Sequence, residues 1–361
     1  MEIGVYTFGE LAPDPATGRT TPGQRLRDLV EEIVLADQVG LDVFGIGEHH
    51  RPDYVSSAPA VLLAAAAART KRIRLASAVT VLSSDDPVRV FQQFATVDLI
   101  SRGRAEIIVG RGSFIESYPL FGYDLDDYDA LFAEKLDLLL KIRGETQVHW
   151  SGRHRAALAG QGVYPRPLQN PLPIWIGVGG TPESVVRAAR LGLPLMVAII
   201  GGQPAQFRGL IDLYRETRRQ ADPAAEPLAV GIHFIGFLAD TTSQAQETFW
   251  PAYRDAFGRI GRERGWPPPI RAQFDAQCSP AGALLVGDSE AVAEKILAEY
   301  EALGGFSRTT ILLDNRVLTH REILRAIELL GTRVAPLVNQ GLAVRAAVKP
   351  AGSADAPGRG A

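Results

Sequence analysis

Short apolar runs alternate with amphipathic segments along almost the whole chain, and this alternation limits the fold more than any other feature. Runs at residues 2–8, 42–47, 73–82, 105–110, 173–178, 195–200, 228–238 and 310–313 read as strands. A stretch with helical spacing follows each one. In 24–39, Leu26, Leu29, Val30, Ile33, Val34 and Ala36 share a face and Gly40 ends the segment. Eight such units predict an α/β chain, a (β/α)8 TIM barrel. An open doubly wound sheet would want an early glycine-rich dinucleotide turn. The first strand leads instead into Gly9-Glu10-Leu11-Ala12-Pro13. Two stretches break the rhythm and predict insertions after the fourth and seventh strand–helix units. One, 144–172, carries Gln147-Val148-His149-Trp150, a Ser151-Gly152 turn and three prolines, and reads as a hairpin with an excursion. The other, 265–283, carries Trp266-Pro267-Pro268-Pro269. Residues 1–338 are expected to form a single domain and 339–361 a disordered Pro/Gly/Ala-rich tail.

Composition narrows the function classes. With net charge −3 and pI ≈ 6.1, the chain offers no basic footprint for nucleic acid or an anionic membrane. A lone cysteine, Cys278, excludes an intrachain disulfide and a cysteine metal cage, and has no reactive signature around it. No apolar run reaches the ~18 residues of a membrane helix. The N-terminus opens on a strand-like run with no signal peptide visible. A cytoplasmic location is the expectation.

Barrel active sites lie at the carboxyl ends of the strands. The second strand runs into Glu48-His49-His50-Arg51-Pro52, the third into Ser83-Ser84-Asp85-Asp86-Pro87, and the fourth into Gly110-Arg111-Gly112-Ser113. The fifth runs into Gly177-Val178-Gly179-Gly180-Thr181-Pro182-Glu183-Ser184. In the fifth, threonine suits an N-cap and proline the first helical position. Two glycines let backbone amides approach an anion at the positive end of a helix. Arg111 can add a bidentate cation to such a phosphate cradle. The plain alternatives are a tight turn and an arginine paired with a nearby carboxylate. For residues 48–50 three readings stand: acid–base chemistry with Glu48 or a neighbour setting a histidine tautomer, a structural histidine, or a metal site. Neighbouring residues on a strand point to opposite faces, which argues against one ion, and His149, His154, His233 and His320 are scattered. His233, mid-strand, reads as a satisfied core residue.

Together these motifs, with Asp86-Pro87-Val88-Arg89, Ser101-Arg102-Gly103-Arg104 and Val286-Gly287-Asp288, resemble the bacterial luciferase-like flavin-dependent oxidoreductases over about residues 2–338. The resemblance implies a barrel that binds reduced FMN, supplied by a separate flavin reductase, with O2 as co-substrate. It implies oxygenation of a small organic substrate through a C4a-peroxyflavin. By motif, His49 resembles the catalytic histidine, flanked by Glu48 and His50. Arg111 and Gly112, with Gly179, Gly180 and Thr181, resemble the phosphate grip. Ala78 and Val79 fall where relatives carry a non-prolyl cis peptide under the isoalloxazine ring. Bacterial luciferase has a glutamate and a serine in the cradle where this chain has two glycines, which argues against light emission. The loop 9–23 and the excursion 144–172 would close the pocket, and a homodimer would pack through the helix 58–69. Loop residues Phe114, Tyr118, Phe121, Tyr123 and Trp150 offer aromatic surface to a substrate. Rival readings are an F420-dependent hydride-transfer oxidoreductase of the same superfamily, a non-catalytic flavin-binding protein, and an unrelated metal hydrolase.

Overall fold

The computed structural model describes residues 1–11, 21–112, 114–313 and 317–348. Eight strands form a closed parallel barrel: β1 Glu2–Thr7, β2 Val43–Ile46, β3 Arg74–Val81, β4 Ala105–Gly110, β5 Ile174–Val178, β6 Leu195–Ile199, β7 Val230–Leu238 and β8 Arg308–Leu312. Each pairs with the next, and β8 returns to β1 with Thr310 opposite Gly4, so the sheet has no free edge. The (β/α)8 expectation therefore holds.

Strand alternation sorts the side chains into two cores. Ile3, Val5, Phe44, Ile46, Leu75, Ile107 and Val109 point outward and pack against the helices. Tyr6, Val43, Ala76, Ala78, Ile108, Trp175 and Met196 point inward and fill the barrel. Below them Arg308 donates to Glu106 at 2.6 Å, and its guanidinium lies 4.4 Å from the centre of the Trp175 ring. Burial on both faces is why these strands read as near-continuous apolar runs.

Near the barrel mouth the inward positions turn small, and one irregularity explains part of the pattern. In β3 the register to β4 goes from Ala78 opposite Ile108 to Thr80 opposite Val109, so Val79 is an extra residue. The Ala78–Val79 peptide is cis, as the resemblance implied. The Val79 side chain lies against Gly110 and Gly177, where an added Cβ would sit 2.8 Å from it in either case. Those two glycines thus leave room for the bulge.

The first insertion is the predicted hairpin, Gln147–Trp150 with Leu158–Gly162. It is docked on the helix Tyr128–Gly144, where Trp150 Nε1 donates to Asp137 at 2.8 Å and the His154 amide to Glu134 at 2.9 Å. The second contains the helix Arg271–Cys278 and leads to a short strand, Leu285–Gly287, beside the end of β7. Two expectations need correction. A short helix, Ser117–Phe121, interrupts what read as loop after β4. The closing helix does not stop near 338: His320–Leu329 passes through a π-turn, Leu330–Val334, into Ala335–Val348, with Val338 fully buried. Residues 339–348, assigned to the tail by composition, belong to that helix. The rest of the tail, 349–361, and residues 12–20 of the loop expected to close the pocket lie outside the described residues.

Candidate functional site

The carboxyl ends of β2 to β5 bring the sequence candidates to one side of the barrel mouth, in two groups. The first group centres on Arg111. Gly112 has φ +78°, a conformation only glycine adopts freely, and this turns the chain just past the arginine. One guanidinium nitrogen is held by Asp129 at 2.5 Å. Another reaches Thr181 Oγ1 at 3.5 Å and Ser184 Oγ at 3.4 Å. The guanidinium stands 5.1 Å from the centre of the Tyr128 ring, and the Tyr128 hydroxyl donates to Gly112 O at 3.0 Å. Across from it, β5 ends at Val178, Gly180 takes φ +126°, and Thr181 begins the helix Pro182–Arg190 in extended conformation. The Thr181 side chain makes no capping bond, so it is not committed to the helix end. A Cβ placed on Gly179 would meet nothing within 4 Å. The result is a wall with a cation, two hydroxyls and the positive end of a helix. Arg111 thus pairs with a carboxylate and also reaches the start of the helix after β5.

The second group is Glu48-His49-His50. Glu48 and His50 form a pair, with Oε1 2.8 Å from Nε2 and both side chains buried. The other Glu48 oxygen accepts the Val81 amide at 3.0 Å, and the Glu48 amide donates to Val79 O at 3.2 Å. Glu48 therefore ties the end of β2 to β3 on both sides of Thr80. Of the two histidines, it is His50 that Glu48 orients. The reason is the two-residue period of extended chain, which puts positions 48 and 50 on the same side. His49 turns the other way into an aromatic box. Its ring stacks on Tyr54 at 4.4 Å and meets the edges of Phe8 at 4.8 Å and Phe114 at 5.2 Å. Its amide donates to Ser56 O at 3.2 Å, while the Ser56 hydroxyl bonds Phe8 O and Gly47 O, which fixes the loop against β1. Phe121 packs edge-on against His50 at 5.0 Å. The carboxylate and two imidazoles do not converge on a point, as one ion would need. Among the described residues, a group with metal-ligand spacing lies elsewhere, at Asp28, Glu31 and His320.

Behind the Glu48–His50 pair lie two titratable groups to which the sequence assigned no role, Asp85 of the polar run after the third strand and Lys135. Burial, then the negative charge of Glu48, pushes the Asp85 carboxyl up to about 6. Lys135, fully buried on the helix Tyr128–Gly144, donates to Ser83 O at 2.7 Å and stands 3.7 Å from the centre of the Tyr123 ring. Burial pushes its ammonium down to about 8. Ser184, Tyr128 and Asp129 were also missed. Ser184 carried a signal, being a hydroxyl three positions past a threonine N-cap. Of the aromatic loop residues, Phe114 and Phe121 reach the histidines, Tyr118 donates to Arg111 O at 3.5 Å, and Trp150 is committed to the hairpin. His233 stacks on Tyr6 at 5.0 Å and bonds Thr310 Oγ1 at 2.9 Å inside the barrel. Burial pushes its imidazole down to about 4, as befits a neutral core histidine. Burial also pushes the Cys278 thiol up to about 12, which keeps it protonated and unreactive.

Comparison with known proteins adds ancestry to this geometry. The family model described as luciferase-like monooxygenase matches residues 1–306. The 4-hydroxyprotoasukamycin monooxygenase of Streptomyces nodosus subsp. asukaensis is 27 % identical over 344 residues, 89 % of each chain. Two other matches span only about half of the relative. Protein y4vJ of Sinorhizobium fredii is 33 % identical over 48 % of this chain and 50 % of its own. An F420-dependent glucose-6-phosphate dehydrogenase of Amycolatopsis mediterranei is 33 % identical over 46 % of this chain and 51 % of its own. Monooxygenase RslO1 from Streptomyces bottropensis superposes with TM-score 0.80 at 24 % identity, covering 93 % of this chain and 99 % of that one. The FMN-bound oxygenating constituent of 3,6-diketocamphane monooxygenase from Pseudomonas putida gives 0.74 at 22 %, covering 93 % and 98 %. At these identities the two structures speak for the fold alone. With the family match spanning most of a closed barrel whose strand ends carry these residues, the chain belongs to the luciferase-like monooxygenase family.

Proposed function

We propose that this protein is a flavin-dependent monooxygenase that uses reduced FMN and O2 to oxygenate a small organic substrate. The observation that carries the reading is the Arg111 guanidinium reaching Thr181 and Ser184 at a helix start opened by Gly179 and Gly180. Those residues fit a phosphate monoester in charge, donor set and space. Arg111, the two hydroxyls and the amides around Gly180 would hold the phosphate. Ala78, Val79 and Gly177 would support the ring. When bound, reduced FMN supplies the electrons that activate O2.

The chain's own residues do the rest. His49, in its box of Phe8, Tyr54 and Phe114, acts as acid or base in surroundings that exclude water. Glu48 holds His50 in one orientation through Nε2 and ties it to the Val79 backbone. A separate flavin reductase provides the reduced cofactor, and the protein works in the cytoplasm. Among the described residues, no helix is long and apolar enough to cross a membrane. A homodimer packs through the helix Pro59–Ala67, whose Val61 is exposed.

A second reading, hydride transfer with F420, draws on the F420-dependent relative. One experiment separates the two. The protein is loaded anaerobically with reduced FMN, and 18O2 is admitted with candidate substrates. The proposal predicts product carrying one 18O atom. A protein that rejects reduced FMN, but turns over an alcohol or sugar phosphate with F420 under anaerobic conditions, contradicts it.

A further inference from the structure

Arg51 follows the two histidines directly, and its guanidinium joins three elements at the barrel mouth. It grips Glu263 with two nitrogens, at 2.9 and 2.5 Å, and Asp53 of its own loop at 3.3 Å. Its Cζ stands 4.7 Å from the centre of the Phe114 ring, within cation–π range. Phe114 in turn meets the His49 ring at 5.2 Å and 74°. Glu263 lies in the last turn of the helix Thr242–Arg264, which follows β7. An acid at that end opposes the helix dipole, so Arg51 and not the helix accounts for its place. Asp53 also lies 3.7 Å from Arg259 of the same helix, a second link between the same two elements. The charges therefore form a network and not an isolated pair. On its other side the loop after β2 is held by backbone. The Leu11 amide donates to Asp53 O and the Val55 amide to Gly9 O, both at 2.8 Å. That loop keeps its place without the Arg51 side chain.

Resting on the reading of His49 as the acid or base, we propose that Arg51 is a positioning residue. It holds Phe114 against His49 and, through Glu263, anchors that wall of the aromatic box to the helix after β7. A guanidinium suits this double task. Its flat face lies on a ring while its edge forks onto a carboxylate, a geometry that a lysine ammonium cannot copy. The box then has walls of two kinds. Phe8 and Tyr54 meet His49 through ring contacts alone, at 4.8 and 4.4 Å. Phe114 is backed by charge, and that charge is partly exposed, with the Arg51 side chain 22 % and the Glu263 side chain 45 % accessible. Salt screens such a pair and leaves ring contacts in place. With the Phe114 wall released, water reaches His49. Reduced FMN then passes two electrons and two protons to O2, which gives oxidised FMN and H2O2 with no substrate consumed.

The test begins on the full-length protein without cofactor. The chain has six histidines, so the His49 ring protons can be followed by NMR and assigned by their loss in His49→Gln. Phe114→Leu calibrates the displacement of those signals when the neighbouring ring is removed. Arg51→Ala should move them in the same direction and most of the same distance. Arg51→Lys, which keeps the charge without the fork, should fall between. Glu263→Gln, a substitution on the helix surface, should also move them that way and guards against an Arg51→Ala protein that does not fold. In the unaltered protein, NaCl at about 1 M, where the screening length is about 3 Å, should act in the same direction. His49 signals unmoved in Glu263→Gln and in the Arg51 variants overturn the proposal, whatever reaction the protein performs. The second arm loads the protein anaerobically with reduced FMN, admits O2 without substrate and times the release of H2O2. Arg51→Ala and Glu263→Gln should release it about two- to fivefold faster, the range of a partly exposed ion pair, while the FMN Kd stays within about twofold. A lowered Tm with unchanged peroxide release would make Arg51 merely structural and overturn its role. If the NMR displacement holds but the protein takes up no reduced FMN or oxygenates nothing, the proposed function fails and this inference stands.

Discussion

At the Arg111 end of the site, groups that sequence places far apart meet over open space. At the Glu48 end, neighbours in sequence are held by contacts already made. Arg111 reaches Thr181 and Ser184, and an added methyl group on the exposed Gly179 meets nothing within 4 Å. Glu48 and His50 have each other, the Val81 amide and Phe121, and His49 is enclosed by three rings. Under the proposed function, the first arrangement would receive an anion and the second would be the reacting edge. Binding and chemistry should therefore separate on mutation.

The largest separation is expected from His49→Ala. Removing a general acid or base costs about 10²- to 10⁴-fold in rate. Substrate oxygenation should fall by that order, with the FMN Kd nearly unchanged. A large loss of FMN affinity instead would move His49 into the binding group. Arg111→Ala should do the converse and raise the FMN Kd by roughly 10- to 100-fold, since a charged hydrogen-bonding partner is worth about 1.5–3 kcal/mol. Isothermal titration checks it, and an unchanged Kd removes Arg111 from the cradle. Gly177→Ala probes the seam between the two ends. The added methyl would sit 2.8 Å from Val79, and overpacking of this kind costs about 1–3 kcal/mol. A Tm lowered by a few degrees is expected, and an unaltered Tm would show that the bulge relaxes freely. Ser184→Ala should be mildest, weakening FMN about fivefold through loss of one hydrogen bond of about 1 kcal/mol. An Arg111-sized effect there would shift the centre of the cradle to Ser184.

What the sequence disclosed follows the same division. The cradle was legible because its devices are local: two glycines, a threonine that suits an N-cap and a proline at the first helical position. The strand–helix rhythm was legible for the same reason. The pairing of Glu48 with His50 was also present, in the period of two, but reading residues 48–50 as one cluster obscured it. Lys135 hid inside a helix read by its leucines, although it falls within the stripe of Leu131, Leu138, Leu139 and Ile142 that faces the core. A lysine at such a position is the available sign of a buried charge. The continuation of the last helix to Val348 was missed because composition was read before spacing. Leu330, Val334 and Val338 repeat every four residues and all are buried. Nothing local marks the packing of Val79 between Gly110 and Gly177, because three strands must come together before that contact exists.

The central claim is that Arg111 and the β5 glycine turn recognise the phosphate of a flavin mononucleotide. The most direct measurement is an anaerobic equilibrium titration of the protein with reduced FMN and with reduced riboflavin, repeated on Arg111→Ala. FMN should bind roughly 10- to 100-fold more tightly than riboflavin, the contribution of one charge-assisted grip. Arg111→Ala should remove most of that gap. Equal affinities for the two flavins in the unaltered protein would contradict the claim.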